Sequence, residues 1–390
     1  MSIPVRNCSS CGACANICAP GAITMQLDKE GFYKPVVDLK KCVKCGLCEK
    51  TCPWEYEALN LNGSTKDPKT VAAYALDEEI RLQSSSGGIF TILAEKVLDD
   101  GGVVVGVSQL SSTRFGHIVV DNKADLAKLR GSKYVQANVG TIYKDVRTLL
   151  KNGRKVLFSG TPCQVAGLYA VLGKAAASSN LFTVDVVCHG TTSVKLFEKY
   201  IEEFEKRTQS KVFSTQFRDK REGWRQFSLT SLTRLVSGEE KKYSKNLNED
   251  SFLQLFLNNL CLNKSCVECR YAKLPRIADI SLGDFWNVSE VHPEINDDKG
   301  VSVVLLNTDH GEELFSSVAS SLKQCNSFLD KAILGNPCIF RASKEHFRRP
   351  EFFADMDKHS MAELVGKYCV SLPLYKIVLL KMRNFILKHF

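Results

Sequence analysis

Past residue 70 the chain alternates short apolar runs with segments of helical period. Residues 71–75 and 103–107 are apolar runs of strand length, and residues 89–98 between them carry their apolar positions at helical spacing. Residues 156–159 form a third run, followed by a turn at 160–164 and a helix from Val165. Residues 182–187 repeat that arrangement, with a turn at 188–190 and a long helix to about Arg207. Strand, short loop and helix in repetition predict an α/β core with some parallel pairing. Residues 211–235 hold β-branched and aromatic runs on either side of Gly223, which predicts a hairpin. Beyond about residue 330 the pattern weakens. Residues 372–390 carry Lys376, Lys381, Arg383 and Lys388 among apolar residues, without an acidic one. A basic amphipathic helix follows, which either docks on its own domain, the commoner fate of a chain end, or lies on an anionic membrane or a partner.

Ahead of this pattern the signal changes from hydropathy to cysteine spacing. Cys8, Cys11, Cys14 and Cys18 form C-x2-C-x2-C-x3-C, and Cys42, Cys45, Cys48 and Cys52 repeat it, with Pro53 directly after. Three thiolates at such intervals wrap one 4Fe-4S cubane, while the fourth cysteine of each run ligates the other. One cubane then takes Cys8, Cys11, Cys14 and Cys52, and the other Cys42, Cys45, Cys48 and Cys18. Zinc prefers paired knuckles with a longer gap, and disulfides need an oxidising compartment. Residues 3 to about 60 resemble a bacterial-type two-cluster ferredoxin, except that the proline expected after Cys18 is delayed to Pro20.

Setting that segment aside leaves roughly 330 residues, enough for one large or two ordinary domains. Residues 60–69 are polar with Gly63 and Pro68, and are expected to be a linker. With no signal sequence before the first cysteine run, and no apolar stretch of about 18 residues, a cytoplasmic protein is expected. The sixteen cysteines then imply metal ligation. The net charge of +9 does not point to nucleic acid, because the basic residues are scattered and bound clusters would add negative charge.

Eight cysteines remain. Cys163 sits immediately after a strand and at the start of a helix, and Cys188 again between strand and helix, on the rim where folds with parallel sheets bind ligands. Cys266 and Cys269 make a C-x2-C pair, with Cys261 just upstream. The four could ligate a third cubane or a zinc ion, or Cys163 and Cys188 could be small buried apolar residues. Cys325, Cys338 and Cys369 are isolated, and a structural role is expected for them. Ser84-Ser85-Ser86-Gly87-Gly88 opens a helix: either backbone N–H groups there approach a pyrophosphate, or the serines merely cap the helix.

In order along the chain come Gly131-Ser132-Lys133-Tyr134, Gly160-Thr161-Pro162-Cys163-Gln164, Cys188-His189-Gly190, Phe217-Arg218-Asp219-Lys220 with Gly223-Trp224, and Cys266-x2-Cys269 followed by residues 278–284, Ala-Asp-Ile-Ser-Leu-Gly-Asp. Over residues 70–290 this resembles the beta subunit family of coenzyme F420 hydrogenases and dehydrogenases, which also includes the plant-type 7-hydroxymethyl chlorophyll reductase. The resemblance implies an FAD-dependent oxidoreductase with a third 4Fe-4S cluster on Cys163, Cys188, Cys266 and Cys269. It implies FAD contacts from Ser86, Gly87, Gly88, Gly131, Ser132, Gly160 and Thr161, with Lys133 at a phosphate and Tyr134 at a ring face. His189 either donates a proton to flavin or substrate or fixes its loop. The expected fold is α+β: an N-terminal ferredoxin-like domain with two 4Fe-4S clusters (1–60), a larger α/β flavin-binding core (70–330) and a C-terminal extension (331–390). The expected function is passage of electrons between clusters and a two-electron partner, either a deazaflavin-type coenzyme or an organic, possibly polysaccharide-linked, small molecule. The alternative is an electron-transfer subunit serving a separate catalytic protein. A redox partner protein or a ferredoxin is expected in either case.

Overall fold

The computed structural model describes residues 7–54, 64, 65 and 67–369; the helix expected at 372–390 and part of the 60–69 linker lie outside them. Thirteen strands are assigned among the described residues. β1 (Ile23–Leu27) and β2 (Tyr33–Val37) form an antiparallel hairpin between the two cysteine runs. β3 (Lys69–Ala75), β4 (Val103–Gln109), β5 (Phe115–Val120), β6 (Val156–Gly160), β7 (Leu181–Val186), β11 (Ile280–Asp284), β12 (Ser302–Leu306) and β13 (Leu322–Ser327) form one sheet, ordered β13-β3-β12-β11-β7-β6-β4-β5. β8 (Ser210–Asp219), β9 (Ser228–Leu235) and β10 (Glu240–Asn246) form a separate antiparallel sheet.

The middle of the large sheet, β4-β6-β7-β11, is parallel, and both flanks are antiparallel. This follows from the sequence: Val156, Leu157 and Phe158 of β6 and all five residues of β12 are buried, the unbroken apolar run required of a strand covered on both faces. The loops after β6, β7 and β11 therefore emerge on one rim.

Local chemistry corrects two expected boundaries. The helix expected from Val165 starts at Pro162. Thr161 is its N-cap, Pro162 occupies the first turn, and the Thr161 N–H donates to Gln164 Oε1 at 2.9 Å. Cys163 thus sits in the first turn of a helix. The hairpin expected over 211–235 has a third strand, β10, whose sequence Glu-Lys-Lys-Tyr-Ser-Lys-Asn is largely exposed and has no apolar alternation to announce it.

The ferredoxin-like segment packs directly on the core. Tyr33 and Cys11 each belong to large buried clusters with core residues. The Tyr33 N–H donates to Gln136 Oε1 at 2.7 Å, and Asn16 Nδ2 donates to the Gly140 carbonyl at 2.8 Å. The β1–β2 turn meets the N-terminus of the Val194–Thr208 helix, where the Val194 N–H donates to the Gly31 carbonyl at 2.9 Å. Arg349 and Glu30 pair at 2.7 Å across the same junction. Among the described residues no helix is long and apolar enough to cross a membrane.

Candidate iron-sulfur and cofactor site

The two cysteine runs fold as copies of each other. Ser10 and Lys44, one residue before the second cysteine of each run, have φ of 63° and 56°; Gly12 and Gly46, one residue after it, have 74° and 71°. This left-handed geometry turns successive N–H groups inward toward sulfur. Each glycine starts a short helix, Ala13–Ile17 in the first run and Leu47–Lys50 in the second. The Ser10 N–H lies 3.3 Å from Cys8 Sγ, and the Ala22 N–H 3.3 Å from Cys18 Sγ. Such N–H···S contacts orient and tune cluster ligands.

The electrostatic neighbours match crossed ligation. Burial pushes the Cys14 thiol up to about 12, with Cys8 and Cys52 the next contributors. Cys8 is raised by burial and by Cys52. Cys48 is raised by burial first, with Cys18 among its neighbours. Cys52, the last cysteine of the second run, therefore lies near the first three of the first run, and Cys18 lies near Cys48. The two groups differ in exposure: Cys11 and Cys52 are buried, whereas Cys45 is open to solvent.

The second cysteine set also comes together. Cys163 is raised by burial and then by Cys269 and Cys266; Cys188 is raised by burial and then by Cys266, Cys163 and Cys269. Among the described residues, no three of these sulfurs lie within 4.8 Å of one another. The loop bearing Cys266 and Cys269 is tied to the end of β7 by Arg276, almost fully buried, which pairs with Asp185 at 3.1 Å and donates to the Tyr271 carbonyl at 3.1 Å. Burial raises the Asp185 carboxyl above its ordinary value, with Arg276 acting against it.

This set abuts the buried end of the ferredoxin-like segment. Cys11 is among the charges acting on Cys163. Tyr143 Oη donates within 2.8 Å of both the Cys11 and Gln164 carbonyls, and Tyr271 Oη donates to the Pro53 carbonyl at 3.0 Å. Gly167, one turn after Cys163, leaves no room for a side chain: a Cβ there would stand 3.1 Å from both Cys11 Cβ and its carbonyl oxygen. Gly167→Leu is accordingly expected to cost about 1–3 kcal/mol by overpacking and to lower iron content at the inner run. Thermal melting and iron analysis of the anaerobic protein check both, with Gly167→Ala falling between.

On the other side of Cys163 and Cys188 opens a cavity of about 400 Å³. Its walls include Gly131 to Tyr134, Gly160, Thr161, Cys188, His189, Arg218, Phe256, Asp284 and Trp286. A second space of about 180 Å³ shares Gly131, Ser132, Val187 and Asp284 with it and continues to Ser84, Ser85, Ser86, Gly88 and Arg130 at the N-terminus of the Ile89–Asp99 helix. The cleft thus runs from the sheet rim to a helix start, the place where anions are held by backbone N–H groups.

The expected contact residues behave differently from one another. Ser86, Gly88, Gly131, Ser132, Tyr134, Gly160 and Thr161 line the cleft. Gly87 does not: its N–H donates to Ser302 Oγ at 2.9 Å, and a Cβ would meet the Ala73 carbonyl at 2.4 Å. Its role is close packing. Lys133 also departs from expectation. Its Nζ donates to the Lys128, Leu129 and Arg130 carbonyls at 2.9–3.3 Å, so it closes a chain turn and leaves no hydrogen for a phosphate. Tyr134 has its ring 4.4 Å from that of Phe256 and its Oη 3.3 Å from Arg218 Nη1. His189 has both ring nitrogens engaged, Nε2 with Asn259 Oδ1 at 2.6 Å and Nδ1 near Ser343 Oγ at 3.4 Å; burial lowers its pKa. That arrangement favours the loop-fixing reading.

Residues outside the expected set dominate the electrostatics. Arg218, buried in the wall, forms a two-pronged pair with Asp284 at 3.0 and 3.1 Å and donates to the Ser85 carbonyl at 3.1 Å. Trp224 Nε1 donates to the same carboxylate at 2.8 Å, and Trp224 and Trp286 stack at 4.9 Å. Lys220 pins the serine loop by donating to the Ser86 and Arg81 carbonyls. The ordered motifs over 217–224 and 278–284 were the available signal for Arg218, Lys220, Trp224 and Asp284, but gave them no roles; Trp286 lay outside both. Cys338, expected to be merely structural, lines the cleft 3.9 Å from His189 Nδ1.

Comparison with known proteins agrees with this layout. Residues 70–144 match the family described as coenzyme F420 hydrogenase/dehydrogenase, beta subunit N-term, and residues 153–325 its C terminus; residues 7–56 match a 4Fe-4S dicluster domain. One subunit of the F(420)H(2) dehydrogenase of Methanosarcina mazei is 23% identical over 171 residues, 40% of this chain and 46% of that protein. The coenzyme F420-dependent sulfite reductase of Methanocaldococcus jannaschii is 26% identical over 167 residues, 41% of this chain and 24% of that one. The matched stretches thus span less than half of each curated relative. A chain of the F420-reducing NiFe hydrogenase complex from Methanosarcina barkeri, in a xenon-derivatised structure, superposes with a TM-score of 0.46 at 19% identity, covering 72% of this chain and 90% of that one.

Proposed function

Because the chain belongs to the coenzyme F420 hydrogenase/dehydrogenase beta-subunit family, we propose that it is an iron-sulfur flavoprotein oxidoreductase. In this reading electrons pass along a line of cysteine-held centres to a two-electron partner at the cleft. The observation that carries it is the shared wall: Cys188 and the Thr161 turn before Cys163 border the cleft, while Cys163 faces Cys11 of the inner run. Bound FAD would supply exchange of one electron with clusters and two with a substrate.

The residues present fit FAD. Backbone N–H groups at the start of the Ile89–Asp99 helix, with Arg130 beside them, suit the pyrophosphate. The rings of Tyr134, Phe256 and Trp286 suit the planar end. The Arg218–Asp284 pair ties the serine loop to the end of β11, holding both halves of the cleft in register. His189, held neutral by burial and hydrogen-bonded on both sides, fixes the loop after Cys188. A deazaflavin such as coenzyme F420, or another small hydride carrier, is the proposed two-electron partner.

Electrons enter or leave at the exposed run. Cys45 is open to solvent, and Leu39, Val43 and Leu47 around it are 63%, 68% and 45% exposed. This rim also favours a second reading, in which the chain serves a separate catalytic protein docked there. One experiment separates the two. Anaerobically purified protein should release FAD on denaturation, identified by mass spectrometry, and should alone reduce a deazaflavin or a dye once given electrons. Full iron without flavin under gentle handling contradicts the first reading; flavin reduced only after a partner is added supports the second.

A further inference from the structure

Away from the cleft, His292, Glu294 and Cys325 bring an imidazole nitrogen, a carboxylate oxygen and a thiol sulfur within 4.8 Å of one another. The three come from two stretches of chain. His292 and Glu294 bracket Pro293 at the 3-10 turn Pro293–Ile295. Cys325 lies on β13, the edge strand of the large sheet.

Strand alternation puts Cys325 and Ser327 on one face: both are half-buried, and Gln324 and Asn326 between and beside them are exposed. That face meets His292. Its Nε2 lies 2.9 Å from Ser327 Oγ, and its Nδ1 lies 3.4 Å from Glu294 Oε1. With Nε2–H donating to the serine, the Nδ1 lone pair points at the carboxylate, so two acceptors face each other beside a thiol. A histidine held through its second nitrogen in this way is the usual preparation of a metal ligand.

We propose that His292, Glu294 and Cys325 bind one zinc ion, with water completing the tetrahedron. One nitrogen, one oxygen and one sulfur are a donor set zinc accepts, at about 2.0–2.3 Å from the ion. Ligand atoms would then stand ~3.3–3.8 Å apart; Nδ1 and Oε1 already do, and rotation of the exposed Glu294 and of Cys325 closes the rest. Binding replaces the thiol proton by the ion and releases it to solvent. The ion clips the edge strand β13 to the segment following β11, which also carries Trp286 of the cleft. An edge strand fastened in this way offers less unpaired backbone to other chains.

The test uses anaerobically purified, cluster-loaded protein, so that cluster cysteines are already occupied. It is dialysed against zinc, freed of excess, and assayed for zinc and iron together. Wild type should hold roughly one zinc per chain. His292→Ala/Cys325→Ser should hold none at unchanged iron. Ser327→Ala should keep the stoichiometry with affinity about 10–100-fold weaker. If the double variant does not fold, Glu294→Gln, at an exposed side chain, and the zinc K-edge spectrum of wild type decide: one sulfur with nitrogen and oxygen ligands supports the site. Zinc uptake by His292→Ala/Cys325→Ser or by Glu294→Gln equal in amount and affinity to that of wild type, no uptake by wild type, or a sulfur-only zinc spectrum would overturn it.

Discussion

Cys266→Ser should cut iron from roughly 12 to roughly 8 atoms per chain while leaving the two N-terminal cubanes intact. The expectation rests on the convergence of Cys163, Cys188, Cys266 and Cys269, each within electrostatic reach of others in the set. Cys8, Cys11 and Cys14 have Cys52 and one another as neighbours, although Cys11 also reaches Cys163. Activity should fall further than iron content. The lost centre lies between the inner run and the cleft, so reduction of a dye by the remaining clusters should persist while reduction of cofactor through them fails. Iron analysis with anaerobic spectroscopy of the reduced protein measures both. Unchanged iron in this variant removes the third centre from the proposed line.

Arg276→Ala should destabilise the protein by about 3–5 kcal/mol, the usual effect of stranding one member of a buried ion pair. Both partners are out of solvent, and among the described residues Asp185 has no other cation bonded to it. The loss should be pH-dependent. Burial already raises Asp185 above its ordinary carboxylate value, and Arg276 is the main influence holding it down. Removing the guanidinium raises it further. A carboxyl whose folded-state pKa exceeds its unfolded value, near 3.9, favours folding at low pH, and that contribution is lost as pH rises through the folded value. The deficit relative to wild type should therefore grow as pH rises above the ordinary carboxylate range, as a pH series of chemical denaturation would measure. Asp185→Asn in the same chain should recover part of it, because a neutral amide leaves no charge to strand. Arg276 is a positioning residue, so the single variant should also loosen the Cys266–Cys269 loop and lower iron retention on dilution.

The eight N-terminal cysteines were legible because cluster ligation imposes fixed spacing within a short run, and the matched dicluster domain agrees with it. The parallel core was legible for a similar reason: strands covered on both faces, such as β4 and β6, carry short buried apolar runs, Val103–Val105 and Val156–Phe158. β10 was not, because a strand exposed on its outer side needs no apolar pattern, and its partner β9 supplies the pairing. The cleft divided along the same line. Gly131 and Gly160 announce themselves as turn glycines, but Lys133 did not reveal that three nearby carbonyls would claim its ammonium group. Arg218 and Asp284 are 66 positions apart, and their pairing appears only once the end of β8 in the small sheet meets the end of β11 in the large one. The weakening of periodicity after residue 330 concealed Asn336 and Cys338, which reach the cleft from short turns.

The unequal burial of the paired cysteine runs also sets an order of failure. Molecular oxygen reaches Cys45 and its neighbours before it reaches Cys11 or Cys52, which are sealed against the core by Tyr143, Tyr271 and the bare backbone of Gly167. The contacts that hold the ferredoxin-like segment to the rest of the chain come from the first run, from the β1–β2 turn and from Pro53 and Trp54 beside the buried Cys52, rather than from around the exposed Cys45. Oxidative damage therefore begins where the fold depends on it least. The outer cubane is therefore expected to be lost first on exposure to air, with the inner cysteines and their scaffold lost later.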